Sequence, residues 1–198
     1  MNSSYRYLLS RDTAASNSRI LLVCMLNPST ADEEKNDPTI LRVSRLAENG
    51  GYGRLLVLNL LAVRATKPSD IWLHQDPFGE DNWQTWDNTL KKLNPDQDTI
   101  SVAWGCAPKG RNQSLQFIRA LVKASCCLKS WTSPIMTWVE NLDGSPRHPL
   151  YIRANTELQP YNLDSYIRYL LQRNVGLLPN DLRTSSEFSS PHKSLLKE

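Results

Sequence analysis

Four short polar strings follow apolar segments of this chain. They are MLNPSTAD at 25–32, NLLAVRAT at 59–66, WGCAP at 104–108 and SPRHPLY at 145–151. Apolar runs rich in Leu, Ile and Val are typical of strands that a parallel sheet buries on both faces. Parallel strands end at one edge of a sheet, and ligands of open α/β sheets bind outside that edge. We therefore expect the four strings to meet at one site.

The segments between the strings predict alternating strands and helices. We expect strands at 19–25, 54–60 and 99–104, and a fourth at 126–131. Residues 135–139 are expected to extend the fourth strand as a hairpin arm or to form an insertion. Asp37 before Pro38 is a helix N-cap followed by proline at the first helical position, and Asn49, Gly50 and Gly51 end that helix. Apolar spacing predicts further helices near 83–93, near 115–122 and from 162.

This pattern predicts an α/β fold, a three-layer α/β/α sandwich with a mainly parallel central sheet. A chain of 198 residues fits one domain, which we expect over 1–179, with a polar, disordered tail over 180–198. No apolar stretch approaches the roughly 18 residues that span a bilayer. The N-terminal segment lacks the regions of a secretory signal, so we expect a cytoplasmic protein without a membrane partner.

Charge and cysteine content limit the chemistry. The net charge of +3 is too small to indicate nucleic acid by itself, so solvated surface charges remain an alternative interpretation of the arginines. The four cysteines form no CxxC pair and the chain has three histidines. We therefore expect neither a metal site nor a cofactor.

The first string places Asn27 at a strand end, followed by the rigid Pro28. An amide both donates and accepts hydrogen bonds, so Asn27 is a candidate for orienting a water or gripping the edge of a nucleobase. Ser29, Thr30 and Asp32 are candidates for binding a sugar or phosphate. A plain Asn-Pro turn is the alternative.

The second string contains a buried amide and an arginine. An unpaired buried amide costs about 1–3 kcal/mol, so Asn59 is expected to have a local partner, and bracing of the first string is the simplest one. The planar fork of Arg64 suits a phosphate or carboxylate. An ion pair of Arg64 with Asp32 or Asp70 is the alternative.

The third and fourth strings add aromatic and titratable groups. Trp104 is a candidate for stacking on a base, with core packing as the alternative. His148 is a candidate acid, base or neutral donor, with capping of backbone carbonyls as the alternative. Its neighbours Arg147, Leu150 and Tyr151 are candidates for substrate contact.

Taken together, the strings resemble a bacterial family catalogued only as a domain of unknown function. Its pattern runs RYxLxR, MLNPSTAD, DPT, NLxAxRAT, WG and PRHPLY. In this chain the matching segments are 6–11, 25–32, 37–39, 59–66, 104–105 and 146–151. The resemblance implies no activity, because the family has none established.

The order of the strings also resembles, more distantly, the uracil-DNA glycosylase superfamily. One branch has a first motif GxNPG whose asparagine helps to position water, and Asn27 matches it, with Met25 and Ser29 in place of the glycines. The late motif begins His-Pro and ends in a leucine wedge. This resemblance implies a similar fold, with His148 stabilising the departing base anion and Leu150 entering the gap left by a flipped base.

The function we expect is hydrolysis of the N-glycosidic bond of a nucleotide or nucleic acid. Asn27 orients water, Asn59 helps to form the pocket and His148 stabilises the leaving group, while Arg64 and Arg147 contact phosphate. One alternative is a non-catalytic nucleotide or nucleic-acid binding module of the same fold. Another is an interaction protein that docks a partner on the aromatic helix around 83–86. The oligomeric state is left open.

Overall fold

The computed structural model describes residues 4–32 and 35–177 and has an α/β fold. The strands are β1 (Leu8–Asp12), β2 (Ile20–Met25), β3 (Arg54–Asn59), β4 (Thr99–Val102), β5 (Met136–Thr137) and β6 (Gln159–Pro160). The helices are α1 (Pro38–Asn49), α2 (Pro68–Ile71), α3 (Asn82–Leu90), α4 (Arg111–Leu128) and α5 (Leu163–Arg173), with 3-10 turns at Pro149–Tyr151 and Val175–Leu177. Three of the predicted strands and the first predicted helix therefore form as expected, within one or two residues.

The six strands form one mixed sheet in the order β1-β3-β2-β4-β5-β6. The four inner strands are parallel, whereas β1 pairs antiparallel with β3 and β6 pairs antiparallel with β5. The sheet is therefore mixed, where the sequence predicts a mainly parallel one. The two edge strands escape prediction because β1 has exposed polar positions and β6 is only two residues long.

The central strand β2 is buried on both faces, as its unbroken apolar sequence predicts. Leu22 and Cys24 belong to an apolar cluster built with residues of α3, α4 and α5. Leu21 and Val23 belong to a second cluster, built with residues of α1. The alternation of side chains along the strand thus supplies two separate cores.

Helix α1 begins and ends where its sequence signals predict. The Asp37 carboxylate accepts a hydrogen bond from the Ile40 N–H at 2.9 Å, and Pro38 occupies the first turn. At the other end, the Gly50 N–H donates to the Leu46 carbonyl at 3.0 Å. The Asp37 cap fixes the start of α1, which follows the first string in the sequence.

The predicted strand at 126–131 is wrong, because α4 continues through Leu128. The apolar residues Phe117, Leu121, Ala124 and Leu128 recur at helical spacing and are all buried, so the helix has a continuous apolar face. The next strand is β5, which lies inside the segment predicted as a hairpin arm and pairs with β4.

Two further sequence expectations concern the C-terminal tail and membrane-spanning segments. Residues 180–198, predicted to form a polar tail, lie outside the described residues. Across the described ranges, no helix combines the length and apolar character needed to cross a membrane.

Candidate functional site: a cavity at the carboxyl edge of the sheet

A cavity of about 640 Å³ lies at the carboxyl ends of the inner strands. It is lined by Asn27 after β2, Asn59 at the end of β3, Trp104 after β4 and His148 from the last string. The chain passes from β2 to β3 on one side and returns to β4 on the other. Such a reversal of strand order is where open α/β sheets bind ligands.

Most of the predicted site residues contribute to this cavity. Those lining it are Asn27, Ser29, Thr30, Asn59, Trp104, His148, Leu150 and Tyr151. Asp32, Arg64 and Arg147 do not line it. The Asp32 carboxylate accepts from the Lys35 N–H at 2.7 Å within its own loop, and the Arg147 Nε donates to Asn141 Oδ1 at 3.1 Å. Contact of Arg147 with a phosphate therefore stays a prediction, and the lining of this cavity does not support it.

The Asn27 side chain ties the first string to the second. Its Nδ2 donates to the Pro28 carbonyl at 2.7 Å and to the Ala65 carbonyl at 2.9 Å. Because both partners are carbonyl oxygens, the atom facing them is the amide nitrogen, and both of its hydrogens are used. The Oδ1 atom is left as an acceptor, so Asn27 can orient a water only by accepting from it.

Asn59 is a buried amide whose side chain has no partner. It is 1% exposed, and neither Nδ2 nor Oδ1 makes a hydrogen bond within the described residues. Its backbone carbonyl, by contrast, accepts from Trp86 Nε1 at 3.1 Å and from Asn82 Nδ2 at 3.3 Å. The local partner predicted for the side chain is absent there, and an unsatisfied buried amide at a cavity wall is a group that a ligand can satisfy.

His148 is a neutral imidazole whose Nε2–H makes no hydrogen bond within residues 4–32 and 35–177. Its Nδ1 accepts from the Leu150 N–H at 3.4 Å, which places the hydrogen of the neutral ring on Nε2. Burial lowers the pKa of His148, and the nearby negative charge of Asp37 partly opposes this. The ring thus caps a backbone N–H rather than the carbonyls considered from the sequence, and it offers a hydrogen-bond donor near neutral pH.

Trp104 and Gly105 join the third string to the fourth. Trp104 is 3% exposed and its ring lies 6.4 Å from that of Phe117 and 6.2 Å from that of Tyr166, so core packing accounts for most of its surface. The Gly105 N–H donates to the Pro146 carbonyl at 2.9 Å. Gly105 has a φ of +86°, a conformation that favours glycine, and an added Cβ would lie 3.4 Å from His148 Cβ.

Two charged residues that sequence reasoning left out also line the cavity: Arg6 and Asp37. The Asp37 carboxylate, besides capping α1, accepts from the Ala31 N–H at 3.3 Å and is 7% exposed. Arg6 donates from Nη1 to the Ala31 carbonyl at 2.5 Å. Both residues lie in segments that match the family pattern, RYxLxR and DPT, and that match was the signal that could have identified them.

The two tryptophans of the aromatic helix differ in burial. Trp86 is fully buried and its Nε1 is bonded to the Asn59 carbonyl. Trp83 is half-buried and lies 5.9 Å from Trp86, ring centre to ring centre. Trp86 therefore belongs to the core, and docking of a partner on this helix stays a prediction that rests on Trp83 alone.

Comparison with known proteins gives one match. A family model described as "Protein of unknown function (DUF1643)" matches residues 6–150, which include both arginine and aspartate segments and nearly all of the last string. No curated protein and no solved structure matches the chain. For residues 4–32 and 35–177, no group of three or more His, Cys, Asp or Glu side chains is placed to hold a metal ion.

Proposed function

Because the chain belongs to the DUF1643 family of proteins of unknown function, we propose an activity from the cavity itself: hydrolysis of the N-glycosidic bond of a nucleobase-containing substrate. The observation that carries the proposal is the presence, in one cavity, of the unsatisfied Asn59 amide and the neutral His148 imidazole. One is suited to recognising a base, and the other to stabilising it as it leaves.

Asn59 recognises the base in this proposal. Its amide presents one acceptor and one donor group side by side, which complements the adjacent N–H and C=O groups of a nucleobase edge. Because the amide is buried and unpaired, a ligand lacking those groups leaves it unpaired, and this disfavours the wrong ligand by a large factor. Trp104 borders the same cavity and supplies part of an aromatic wall.

His148 stabilises the charge that develops on the departing base. As the bond from sugar carbon to base nitrogen breaks, its electron pair moves onto the base. A neutral N–H aimed at that charge stabilises the transition state more than the ground state. The lowered pKa of His148 keeps the ring in this form near neutral pH.

Asn27 and Asp37 act on the water in this proposal. The free Oδ1 of Asn27 accepts a hydrogen bond from the water, whose oxygen bonds to the sugar carbon. Each Asp37 carboxylate oxygen accepts one backbone N–H and keeps further acceptor capacity, so the water proton passes to this carboxylate. The negative charge of Asp37 also opposes the positive charge that develops on the sugar.

The proposal also covers the layer arrangement of the fold and the residues at the rim of the cavity. It includes a three-layer arrangement like that of the uracil-DNA glycosylase superfamily, supported by the separate apolar clusters built with α1 and with α3, α4 and α5. Leu150 is 41% exposed and Tyr151 is 75% exposed where they line the cavity. Apolar side chains in this position are suited to contact the neighbours of a base that has left its stack.

A base-release assay tests the proposal. DNA, RNA and nucleosides carrying uracil or damaged bases are incubated with the wild type, with Asn27→Ala plus His148→Ala, and with the control Asn112→Ala plus His74→Ala. The control changes the same residue types at positions that do not line the cavity. We expect base release by the wild type and the control only. Equal release by the wild type and the cavity variant would refute the proposal.

The second candidate is a binding module without catalysis. It is favoured by the hydrogen bonds that already engage both Asp37 oxygens and both Asn27 donors, because groups so occupied serve rigid recognition. This candidate predicts saturable binding of nucleotides without base release. Detection of free base at a rate that depends on His148 would exclude it.

A further inference from the structure

Three arginines converge on the backbone of the first string. Arg6 and Arg64 donate to the Ala31 carbonyl, at 2.5 Å and 3.1 Å, and Arg11 donates to the Asp32 carbonyl at 2.5 Å. These arginines come from the start of the chain and from the second string. They concentrate positive charge behind one short loop at the wall of the cavity.

Arg6 and Arg64 share one neutral acceptor. Because both bind the same oxygen, their two donating nitrogens lie within about 6 Å of each other. Neither guanidinium is in an ion pair with a described carboxylate, and the ion pair found in the described ranges joins Arg54 to Asp12. Two like charges held together in this way repel, and a bound anion relieves the repulsion.

Arg6 lines the cavity and has donors to spare. Of its guanidinium nitrogens, only Nη1 makes a hydrogen bond within the described residues, and Nε is buried without a partner there. Burial, together with repulsion by Arg64 and Arg11, lowers the pKa of Arg6 to about 10, and the negative charges of Asp37 and Asp32 partly oppose this. The side chain therefore still carries its charge at neutral pH. A partly desolvated guanidinium with open donors binds a phosphate or carboxylate strongly.

Hydroxyl groups line the cavity beside Arg6. They belong to Ser29, Thr30, Thr39 and Thr66. Such hydroxyls donate readily to phosphate oxygens. They add bonding capacity for an anion without adding negative charge.

We propose that Arg6, supported by the positive charge of Arg64 and by these hydroxyls, forms a phosphate subsite of the cavity. Arg6 contacts the anion directly, and Arg64 raises the positive potential from behind the loop. The subsite stands independently of the reaction. Its consequence for substrate rests on the proposed function: the cavity takes a base and a phosphate of one nucleotide unit, as a mononucleotide or at a strand, in preference to a free nucleoside.

Titration with inorganic phosphate tests the subsite without any base. Calorimetry compares the wild type, Arg6→Gln, Arg64→Gln and the control Arg119→Gln, which removes an exposed arginine from α4. We expect phosphate to bind tenfold or more weaker to Arg6→Gln, about threefold weaker to Arg64→Gln, and unchanged to the control. Affinity of the wild type should fall with added chloride, since the attraction is electrostatic.

The Arg6→Gln variant removes a contact to the first string, so Arg6→Lys serves as a second variant. It keeps the charge but not the planar fork, and we expect intermediate affinity with wild-type melting temperature. Equal phosphate affinity in the wild type, Arg6→Lys and Arg64→Gln would overturn the subsite. It would also be overturned if the wild type bound phosphate no more tightly than Arg6→Gln does.

A second titration compares a nucleoside, its 5′-monophosphate and a short single strand ending in the same nucleotide. We expect the monophosphate to bind tenfold or more tighter than the nucleoside, and the strand arm tells which source of phosphate is preferred. Phosphate binding that depends on Arg6, without any binding of base compounds, supports the subsite and contradicts the proposed function. Nucleoside binding as tight as that of both phosphorylated compounds overturns the subsite alone.

Discussion

Asp98 and Asn59 are buried polar residues at opposite ends of the sheet, and they differ in their hydrogen bonding. At the amino end, Asp98 accepts from the Ile20 N–H and from the Asn94 N–H, both at 2.8 Å. The exposed Asn17 at the same end binds three backbone groups, of Arg19, Gly51 and Gly53. At the carboxyl end, the Asn59 amide has no partner in the part of the chain that the structure describes.

This difference separates polar residues that stabilise the fold from polar residues that are kept for a ligand. A satisfied buried group contributes to the free energy of unfolding, whereas an unsatisfied one costs about 1–3 kcal/mol. Proteins retain such costly groups where activity needs them. The end of the sheet with unsatisfied groups is therefore the end at which we place the site.

The largest effect is expected for His148→Ala. Removing one donor to developing negative charge typically lowers kcat by about 100- to 1,000-fold, and the melting temperature should change little. Single-turnover base release measures the first quantity and thermal unfolding the second. A loss of rate that merely tracks a loss of folded protein would contradict the assignment of His148 to the site.

Asp98→Ala is expected to have the next largest effect, on stability only. It leaves the N–H groups of Ile20 and Asn94 without their charged acceptor, so the free energy of unfolding should fall by about 2–4 kcal/mol. Urea denaturation measures this change. Asp98→Asn, which keeps one acceptor, should lose about half as much, and ligand affinity should stay at the wild-type value in both variants.

Asn59→Leu is expected to have the opposite effect to Asp98→Ala: ligand binding is lost while stability is kept. Leucine has a similar volume and no unsatisfied polar atoms, so the free energy of unfolding should be unchanged or higher by about 1 kcal/mol. Binding of base-containing ligands should be lost, while binding of inorganic phosphate should persist. A destabilisation as large as that of Asp98→Ala would show that the amide has a partner within the protein.

The smallest expected effect is on the pH dependence of the free energy of unfolding. The pKa of His148 is lower in the folded protein than its ordinary value of about 6.5, so the unfolded chain binds more protons below that pH. The contribution of His148 to stability is therefore complete above pH 6.5 and is lost as the pH falls below it. His148→Gln should remove this part of the pH dependence in urea titrations between pH 5 and 7. An identical slope in the variant would contradict a lowered pKa.

The sequence predicts the site better than it predicts the sheet. Asn27, Asn59 and His148 follow or end apolar segments, and the geometry of parallel strands is enough to bring such positions to one edge. Asp37 and Arg6 are different, because a capping aspartate and an arginine before an edge strand look the same whether or not they face a cavity. Only the packing of α1 and the first string against each other decides that.

The errors in the fold have a similar origin. An apolar stretch at 126–131 fits a strand or a buried helix equally well, and the continuous apolar face back to Phe117 decides for the helix. Strand β1 has its antiparallel register fixed by pairing with β3, from Leu8 opposite Leu58 to Asp12 opposite Arg54, so the partners lie more than 40 positions apart. Interactions at that separation leave no local pattern.

The most direct test of the central claim, that the carboxyl-edge cavity holds an amide reserved for a ligand, is a nuclear magnetic resonance titration of the Asn59 side chain. Uridine 5′-monophosphate and the monophosphates of other bases are added while the Nδ2 proton pairs of Asn59 and Asn17 are followed. We expect at least one monophosphate to shift the Asn59 pair and slow its exchange with water, with the Asn17 pair unchanged. An Asn59 pair already protected from exchange in the free protein, and unmoved by every monophosphate, would contradict the claim.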